Sequence, residues 1–331
     1  MGVNLKDLIL KHQIKLEDLS DKKVAIDGFN ILYQFLTTIR QRDGSLLMDS
    51  KGNVTSHLSG LFYRTLKFME AGILPCYVFD GKAPLEKSST QQSRAETKID
   101  AEKKYKEALD SEDLESARMY AQRTAILTRD MVSESKKLLD AMGIPWVQAV
   151  AEGEAQAAYM ARKGAVWAVV SQDYDSLLFA TPRLIRNLSI TGKRKVPKKS
   201  TYIEVNPELI DLTEMLNFLQ LDISGLIKIA LLTGTDYNEG VKGVGPKTAL
   251  KIIRENKFEE YTAQIPNWQN LYNLFMKPAV TNDYNLVWKE PDLKKIKEIL
   301  CEVHEFDEER IESALKKILE KKNKGQTTLE F

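Results

Sequence analysis

The stretch VVSQDYDSLLFA, residues 169–180, sets two carboxylates, Asp173 and Asp175, two positions apart directly after an apolar run. Asp and Ser favour turns, so a local turn is one account of them. Metal ligation is the other, because like charges held so close need a cation or a proton between them. Acids recur in the same setting: Asp27 follows KVAI, Asp80 follows CYVF, and Glu152 and Glu154 follow WVQAVA. A single acid at a strand end is commonly a helix cap, but four strand ends that all finish in acid are hard to explain by capping. The chain has two cysteines, Cys76 and Cys301, and three scattered histidines, His12, His57 and His304. Any metal site must therefore be built from carboxylates, and oxygen ligands select Mg²⁺ or Mn²⁺.

The elements that must position these acids read as an α/β fold. KVAIDGFN (23–30), LPCYVFDGK (74–82), IPWVQAV (144–150) and AVWAVVS (165–171) are short apolar runs with the look of buried strands. TSHLSGLFYRTLKFMEAG (55–72) and a segment from about Glu154 to Lys163 lie between them as amphipathic helices. This alternation predicts a largely parallel central sheet with helices on both faces. The carboxyl ends of parallel strands share one edge, where ligands bind, so acids distant in sequence would meet in one cleft. Two divalent ions roughly 4 Å apart in such a cleft can activate a water, hold the attacked phosphate and stabilise the leaving oxygen of a phosphodiester. Glu152 and Glu154 fall at a helix start, where the macrodipole favours their ionised form.

At 331 residues with 43% hydrophobic content the chain can bury a large core. No apolar stretch approaches the roughly 18 residues of a membrane span, and the N-terminal segment is too charged for a signal-peptide core. Two cysteines suit a reducing compartment, and the expectation is a soluble intracellular protein. The net charge of +1 gives no bulk attraction to nucleic acid, but RLIRNLSITGKRKVPKK (183–199) carries seven Lys or Arg and no acid. That run is either a solvated hairpin or a local anion-attracting segment. Residues 83–133 are dense in charge and poor in aliphatic side chains. They read as a solvated helical excursion, and its position after Asp80 gives it a second reading: Lys87 and Arg94, seven apart, share a helical face and could hold a phosphate near the acids. GTDYNEGVKGVGPKTALKIIREN (234–256) follows a helical ISGLIKIALLTG, with Pro246 opening a second helix. Gly243, Gly245 and the following Lys247 suit a helix-hairpin-helix that grips a DNA backbone without reading bases. Such hairpins also serve as plain connections. Asp236, just upstream, is a candidate seventh acid.

Taken in order, VAIDGFNILYQFL, TSHLSGLFYRT, YVFDGKAP, EGEAQAAYM, SQDYDSLLF, RNLSITGKRK and GTDYNEGVKGVGPKTAL resemble flap endonuclease, in the short form of archaea, over nearly the whole chain. The resemblance implies a structure-specific 5′ nuclease that cuts branched DNA at the base of 5′ flaps, with 5′–3′ exonuclease activity, in replication (Okazaki fragment maturation) and repair. It implies that Asp27, Asp80, Glu152, Glu154, Asp173, Asp175 and Asp236 serve two Mg²⁺ ions, with Mn²⁺ as a substitute. Asp80, Glu152, Glu154 and Asp173 would lie nearer one ion, Asp175 and Asp236 nearer the other, and Asp27 would act through waters. Lys87 and Arg94 match basic residues at the base of a helical arch that admits a free 5′ strand. Tyr33 matches an aromatic that stacks on a base near the cut. Thr55 and Arg310 match positions of a pocket for a one-nucleotide 3′ flap. A K⁺ ion is implied at the Gly243–Gly245 hairpin.

Three positions depart from the family's pattern. The excursion has Ser-Ser-Thr-Gln-Gln where relatives are more basic; His304 stands where the 3′-flap pocket has Lys; and the tail GQTTLEF opens like a sliding-clamp motif, with Gln326, Leu329 and Phe331, but stops before the closing aromatic pair. The expected organisation is a single nuclease domain over 1–320, followed by a tail over 321–331. The domain divides into an N-terminal part (1–82), an arch (83–133), an internal part (134–260) with the hairpin at about 223–256, and a C-terminal helical part (261–320). The expected form is a monomer in an archaeal cytoplasm. A catalytically silent DNA-binding scaffold would have no reason to keep seven acids. A haloacid-type phosphatase would place Asp-x-Asp after its first strand, where Asp27-Gly28-Phe29 stands.

Overall fold

The computed structural model describes residues 3–81, 100–105, 107–108, 111, 113–190, 192–195 and 201–326. A seven-stranded sheet runs in the order β1-β9-β6-β5-β2-β3-β4. These strands are β1 (His12–Gln13), β2 (Lys23–Asp27), β3 (Leu74–Phe79), β4 (Trp146–Gln148), β5 (Ala168–Val170), β6 (Arg183–Arg186) and β9 (Glu208–Asp211). β6, β5, β2, β3 and β4 are mutually parallel. β9 and β1 extend the β6 edge antiparallel. The basic run forms a separate two-stranded hairpin, β7 (Gly192–Lys195) with β8 (Tyr202–Val205).

The central parallel strands β5, β2 and β3 are apolar over most of their length because both faces are covered. In β2, Val24 and Ile26 enter one core, and Ala25 enters the other. In β3, Tyr77 and Phe79 share the first core with Val24, while Cys76 and Val78 share the second with Ala25. The first core is closed by α1 (Gly28–Thr38), α2 (Ser56–Glu70), α4 (Arg129–Ala141), α11 (Leu293–Lys297) and α12 (Glu308–Gln326). The second is closed by α5 (Gly153–Arg162), α6 (Asp175–Leu178), α7 (Leu212–Leu219), α8 (Ile223–Thr233), α9 (Pro246–Arg254) and α10 (Trp268–Met276). The expected fold class, a largely parallel sheet with helices on both faces, is the one observed. α12 runs to Gln326, so helix continues into the segment expected to be tail. In the excursion, helix is present over 100–105 and as α3 (Leu114–Ala121). Among the described residues no single helix is long and apolar enough to cross a membrane. α7 and α8 pass only as a pair bent by 78°, and their apolar residues belong to the core.

The register brings the chemistry to one edge. Asp27 pairs with Val78 and Ile26 with Val170, so β2, β3 and β5 end almost level. The residues that follow them emerge together at the carboxyl edge, as the rule for open parallel sheets requires.

Candidate metal centre

Asp27 ends β2 and caps α1, its Oδ1 accepting the Asn30 amide at 2.9 Å. The Ser171 hydroxyl donates to its other oxygen at 3.3 Å. Only 5% of Asp27 is exposed. Burial, then the charge of Asp80, push its carboxyl up to about 8, with Asp173 adding to the rise and the Asn30 amide opposing it. Asp80 follows β3 and accepts the Gly153 amide at 2.6 Å. That approach needs glycine at 153, because a Cβ there would stand 2.6 Å from Asp80 Oδ1. Glu152 is the N-cap of α5 and is buried; Glu154 occupies the first turn of the same helix. Both therefore sit where the helix dipole favours negative charge.

Asp173 accepts the Asn30 side-chain amide at 2.8 Å. Asn30 also accepts the Gln172 amide at 3.2 Å, so one α1 side chain ties the Asp27 strand end to the Asp173 turn. From the other side Arg186 donates to the Gln172 carbonyl at 2.9 Å and lies 4.2 Å over the Tyr174 ring. Asp175 begins α6 and accepts the Val3 amide at 2.5 Å. Burial pushes its carboxyl up to about 7; the Val3 amide opposes this, and Asp173 and Asp236 add to it. Asp236 lies in the loop after α8, and it lines a cavity with Glu154, Asp175, Thr235, Tyr237, Phe179 and Phe275. Burial first, then the charges of Glu152 and Glu154, with hydrogen bonding to Glu152 and the charge of Asp175 adding to them, raise the pKa of the Tyr237 phenol. The seven acids thus form one chain of mutual influence across the cleft.

No three described His, Cys, Asp or Glu side chains are already arranged to hold a metal ion. The donors nevertheless fit a divalent cation in their chemistry. They are all carboxylates, and burial first, then the charges of neighbouring acids, drive Asp27 and Asp175 toward protonation. An all-oxygen set of this kind suits Mg²⁺ or Mn²⁺.

Among the other predicted residues, Tyr33 is on α1, 37% exposed, one turn beyond Asn30. Gly243 and Gly245 are exposed between α8 and α9, and Lys247 is exposed in the first turn of α9. Gly243 has φ +82°, and Gly245 is the N-cap of α9. Thr55 is buried immediately before α2, and Arg310 is exposed on α12. His304 does not face outward as a lysine substitute would. It is 5% exposed, 3.5 Å from Asp49 and 3.7 Å from Glu134, whose other oxygen is 3.2 Å from the buried His57. Lys87, Arg94, Leu329, Phe331 and the side chain of Gln326 lie outside the described residues.

Reading the sequence missed Asn30, Val3 and Tyr237. Asn30 had a signal, an amide side chain three residues after the cap Asp27 in the first helical turn. Val3 had none, because it acts through its backbone. Tyr237 adjoins Asp236, but nothing in the sequence aims its phenol at Glu152.

Residues 1–101 match the XPG N-terminal domain and residues 143–236 the XPG I-region. The first holds Asp27 and Asp80, and the second the other five acids. These two regions, set on this sheet, make the chain an XPG-type protein. It is 54% identical over 335 residues to flap endonuclease 1 of Pyrococcus abyssi, spanning 100% of this chain and 98% of that one. Among solved structures it resembles flap endonuclease-1 from Methanococcus jannaschii, with TM-score 0.78 and 45% identity, covering 97% of this chain and 98% of that one. It also resembles the catalytic core of Rad2 in complex with DNA substrate, with TM-score 0.71 and 25% identity, covering 96% of this chain and 100% of that one. The chain belongs to the flap endonuclease 1 family.

Proposed function

We propose that this protein is a structure-specific 5′ flap endonuclease. It hydrolyses a phosphodiester at the base of a 5′ flap in branched DNA, has 5′–3′ exonuclease activity, and serves replication, including Okazaki fragment maturation, and repair. The observation that carries the reading is the gathering of seven carboxylates at one sheet edge in a member of this family. Asp80, Glu152, Glu154 and Asp173 would hold one divalent ion, and Asp175 and Asp236 a second, with Asp27 acting through water. Mg²⁺ or Mn²⁺ bound there supplies water activation and charge neutralisation at the attacked phosphate.

The chain's own groups prepare that chemistry. Asn30 holds the Asp173 carboxylate and the Val3 amide holds Asp175, so neither must be ordered when cations arrive. Protons held on Asp27 and Asp175 leave as cations bind, which makes uptake pH-dependent. Lys87 and Arg94, in a helical arch over 83–133, steady the scissile phosphate, and Tyr33 stacks on a base beside it. The turn at Gly243 and Gly245, with Lys247 exposed in the first turn of α9, is the hairpin of a helix-hairpin-helix that grips duplex backbone, with K⁺ bound at the hairpin. First-turn amides of a helix lack partners within it, which suits a phosphate. Thr55 and Arg310 line the 3′-flap pocket. Gln326, Leu329 and Phe331 offer a sliding-clamp contact. The protein acts as an intracellular monomer built on one domain over 1–320, a reading supported by cores that both pack on one sheet.

The test is cleavage of a 5′-labelled double-flap DNA with Mg²⁺ and with chelator, beside nicked duplex and a four-way junction. One product cut at the flap base, formed only with Mg²⁺, is expected. Binding of all three substrates with no cleavage in Mg²⁺ or Mn²⁺ would leave a DNA-binding scaffold and overturn the proposal.

A further inference from the structure

Asp80 stands one residue past the end of β3, where ladder pairing stops: Phe79, the last residue of that strand, lies opposite Gln148, the last of β4. Beyond that point other bonds hold the backbone. Gln148 Nε2 donates to the Asp80 carbonyl at 2.6 Å and to the Phe79 carbonyl at 3.2 Å. The Gly81 amide donates to the Ala151 carbonyl at 2.7 Å. Glycine is needed there, because a Cβ at 81 would collide with the Ala149 and Val150 carbonyls. The Gly153 amide meets the Asp80 carboxylate from the same side. Asp80 is therefore tied through its own carbonyl, its neighbour and its side chain to residues 148–153, the segment that delivers Glu152 and Glu154.

Gln148 is exposed, and an exposed glutamine has rotamer freedom to lose when it is held in one pose. Lys136, on α4, removes that freedom: its ammonium donates to Gln148 Oε1 at 2.6 Å. An ammonium can only donate and a carbonyl can only accept, so this bond dictates that the NH₂ end of the amide faces Asp80. Lys136 is itself seated, with its nitrogen 4.4 Å from the Trp146 ring centroid and 5.1 Å from that of Phe79, both within reach of a cation–π contact. The Trp146 indole is fixed in turn, donating at 2.9 Å to Asp140, one helical turn beyond Lys136. We infer that Gln148 is a positioning residue for Asp80, with Lys136 orienting its amide: the pair extends the β3–β4 pairing by one residue and fixes Asp80 against Glu152 and Glu154, the acids assigned to the same ion. The inference rests on the metal-dependent reading of this cleft. The acids need such a restraint, because after burial the charge of Asp80 is the strongest influence raising Asp27. Gln148 supplies it on the backbone and engages neither carboxylate oxygen, while the positive charge of Lys136 stays one side chain removed from the acid.

The discriminating variant is Gln148→Leu, which keeps the bulk of the side chain and removes its amide. Lys136→Met is its companion, keeping an apolar stem over Trp146 and Phe79 and removing the donor to Gln148. Mn²⁺ binding to the DNA-free protein is measured by calorimetry and by the free-Mn²⁺ paramagnetic signal, alongside flap binding in chelator, melting in chelator, and single-turnover cleavage against Mg²⁺ concentration. Loss of a group that orients a metal ligand typically weakens metal binding about 10- to 100-fold. Gln148 acts through the backbone of Asp80, so the expected result for Gln148→Leu is the lower end, a loss of about tenfold for one Mn²⁺ equivalent. Cleavage should be largely restored by excess Mg²⁺, with flap binding and melting in chelator unchanged. Lys136→Met should weaken Mn²⁺ binding by less, and the double variant should be no worse than Gln148→Leu, because Lys136 acts through Gln148. Mn²⁺ affinity of Gln148→Leu within twofold of wild type overturns the inference. So does a loss of affinity matched by a fall in melting temperature in chelator, which marks a packing role, and so do losses that simply add in the double variant. If the wild type itself takes up no Mn²⁺ and cuts no flap, the metal-dependent reading fails. If the wild type does both and Gln148→Leu matches it, only the role of Gln148 fails.

Discussion

Replacing Asp27 by Asn should stabilise the metal-free protein, and by more as the pH rises. Asp27 is raised from 3.8 to about 8 by burial and by the charges of Asp80 and Asp173. A carboxyl whose folded pKa is raised is most compatible with the fold below its unfolded pKa, near 4, and loses that compatibility as pH climbs toward 8. Each unit is worth about 1.4 kcal/mol. A shift of about four units therefore sets an upper bound of about 5 kcal/mol on the cost of Asp27 at pH 8. Asn keeps an oxygen to accept the Asn30 amide, and its NH₂ can donate to Ser171. A buried amide still bears a desolvation cost, so a realised gain of about 2–3 kcal/mol is the reasonable expectation at pH 8.

The assay is urea denaturation at 25 °C in chelator, at pH 5 and pH 8. With a slope of about 3 kcal/mol/M for a chain of this size, Asp27→Asn should move the midpoint up by roughly 1 M at pH 8, and by less than half of that at pH 5. Addition of Mg²⁺ should shrink the difference, because cations relieve in the wild type the repulsion that the substitution removes. A variant less stable than wild type at pH 8 in chelator, or a gain independent of pH, would refute the account of this cleft as strained by its own charge.

Other outcomes follow from the proposed function and from the geometry of the cleft. Lys87→Ala and Arg94→Ala should each lower turnover roughly 10²-fold or more while flap affinity stays within a few fold; equal losses in both, measured by single-turnover kinetics and by titration, would make them ordinary DNA contacts. Gly153→Ala should fold, because only the mobile end of Asp80 obstructs the new methyl. It should cut flaps about tenfold or more slowly, because that carboxylate must turn away from the site; wild-type cleavage would show that Asp80 does not need this pose. Glu134→Gln takes the charged partner from His57 and His304, and should destabilise by about 1–2 kcal/mol at pH 7. The hydrogen bond from His57 is the main cause holding the Glu134 carboxyl below its usual range, so its contribution is present above about pH 4.5 and is lost as pH falls through the folded value. Urea midpoints for the variant and wild type should converge below that pH, and a constant gap would remove the charge from the explanation.

The legible parts of this molecule were those in which one physical demand fixes residue type along a run. β2, β3 and β5 are buried on both faces, so each is a short unbroken apolar stretch, and the acid that ends it stands out. β1 and β9 escape this logic: His12 and Gln13 are exposed polar residues, held in the sheet by backbone pairing to Leu209 and Glu208. The histidines were opaque for a different reason. His57 and His304 are 247 positions apart, and only the fold brings Glu134 between them.

The same distinction explains why the acids were readable and their supports were not. A carboxylate at a strand end is conspicuous because it is locally unfavourable, and a cluster of them is worse; burial first and neighbouring acids second raise Asp27 and Asp175. Holding such a cluster together requires partners that bear no charge, since cationic side chains at the centre would compete with the metal. The structure meets this need with Asn30, Ser171, the Val3 and Gly153 amides and the Tyr237 hydroxyl. Each is a neutral donor, and each is brought to its acid by tertiary structure or by a backbone turn. Neutral donors are common everywhere in a protein, so their types carry little information; only their directions do, and direction belongs to the fold. A site built on repulsion therefore shows its charges in the sequence and hides what restrains them.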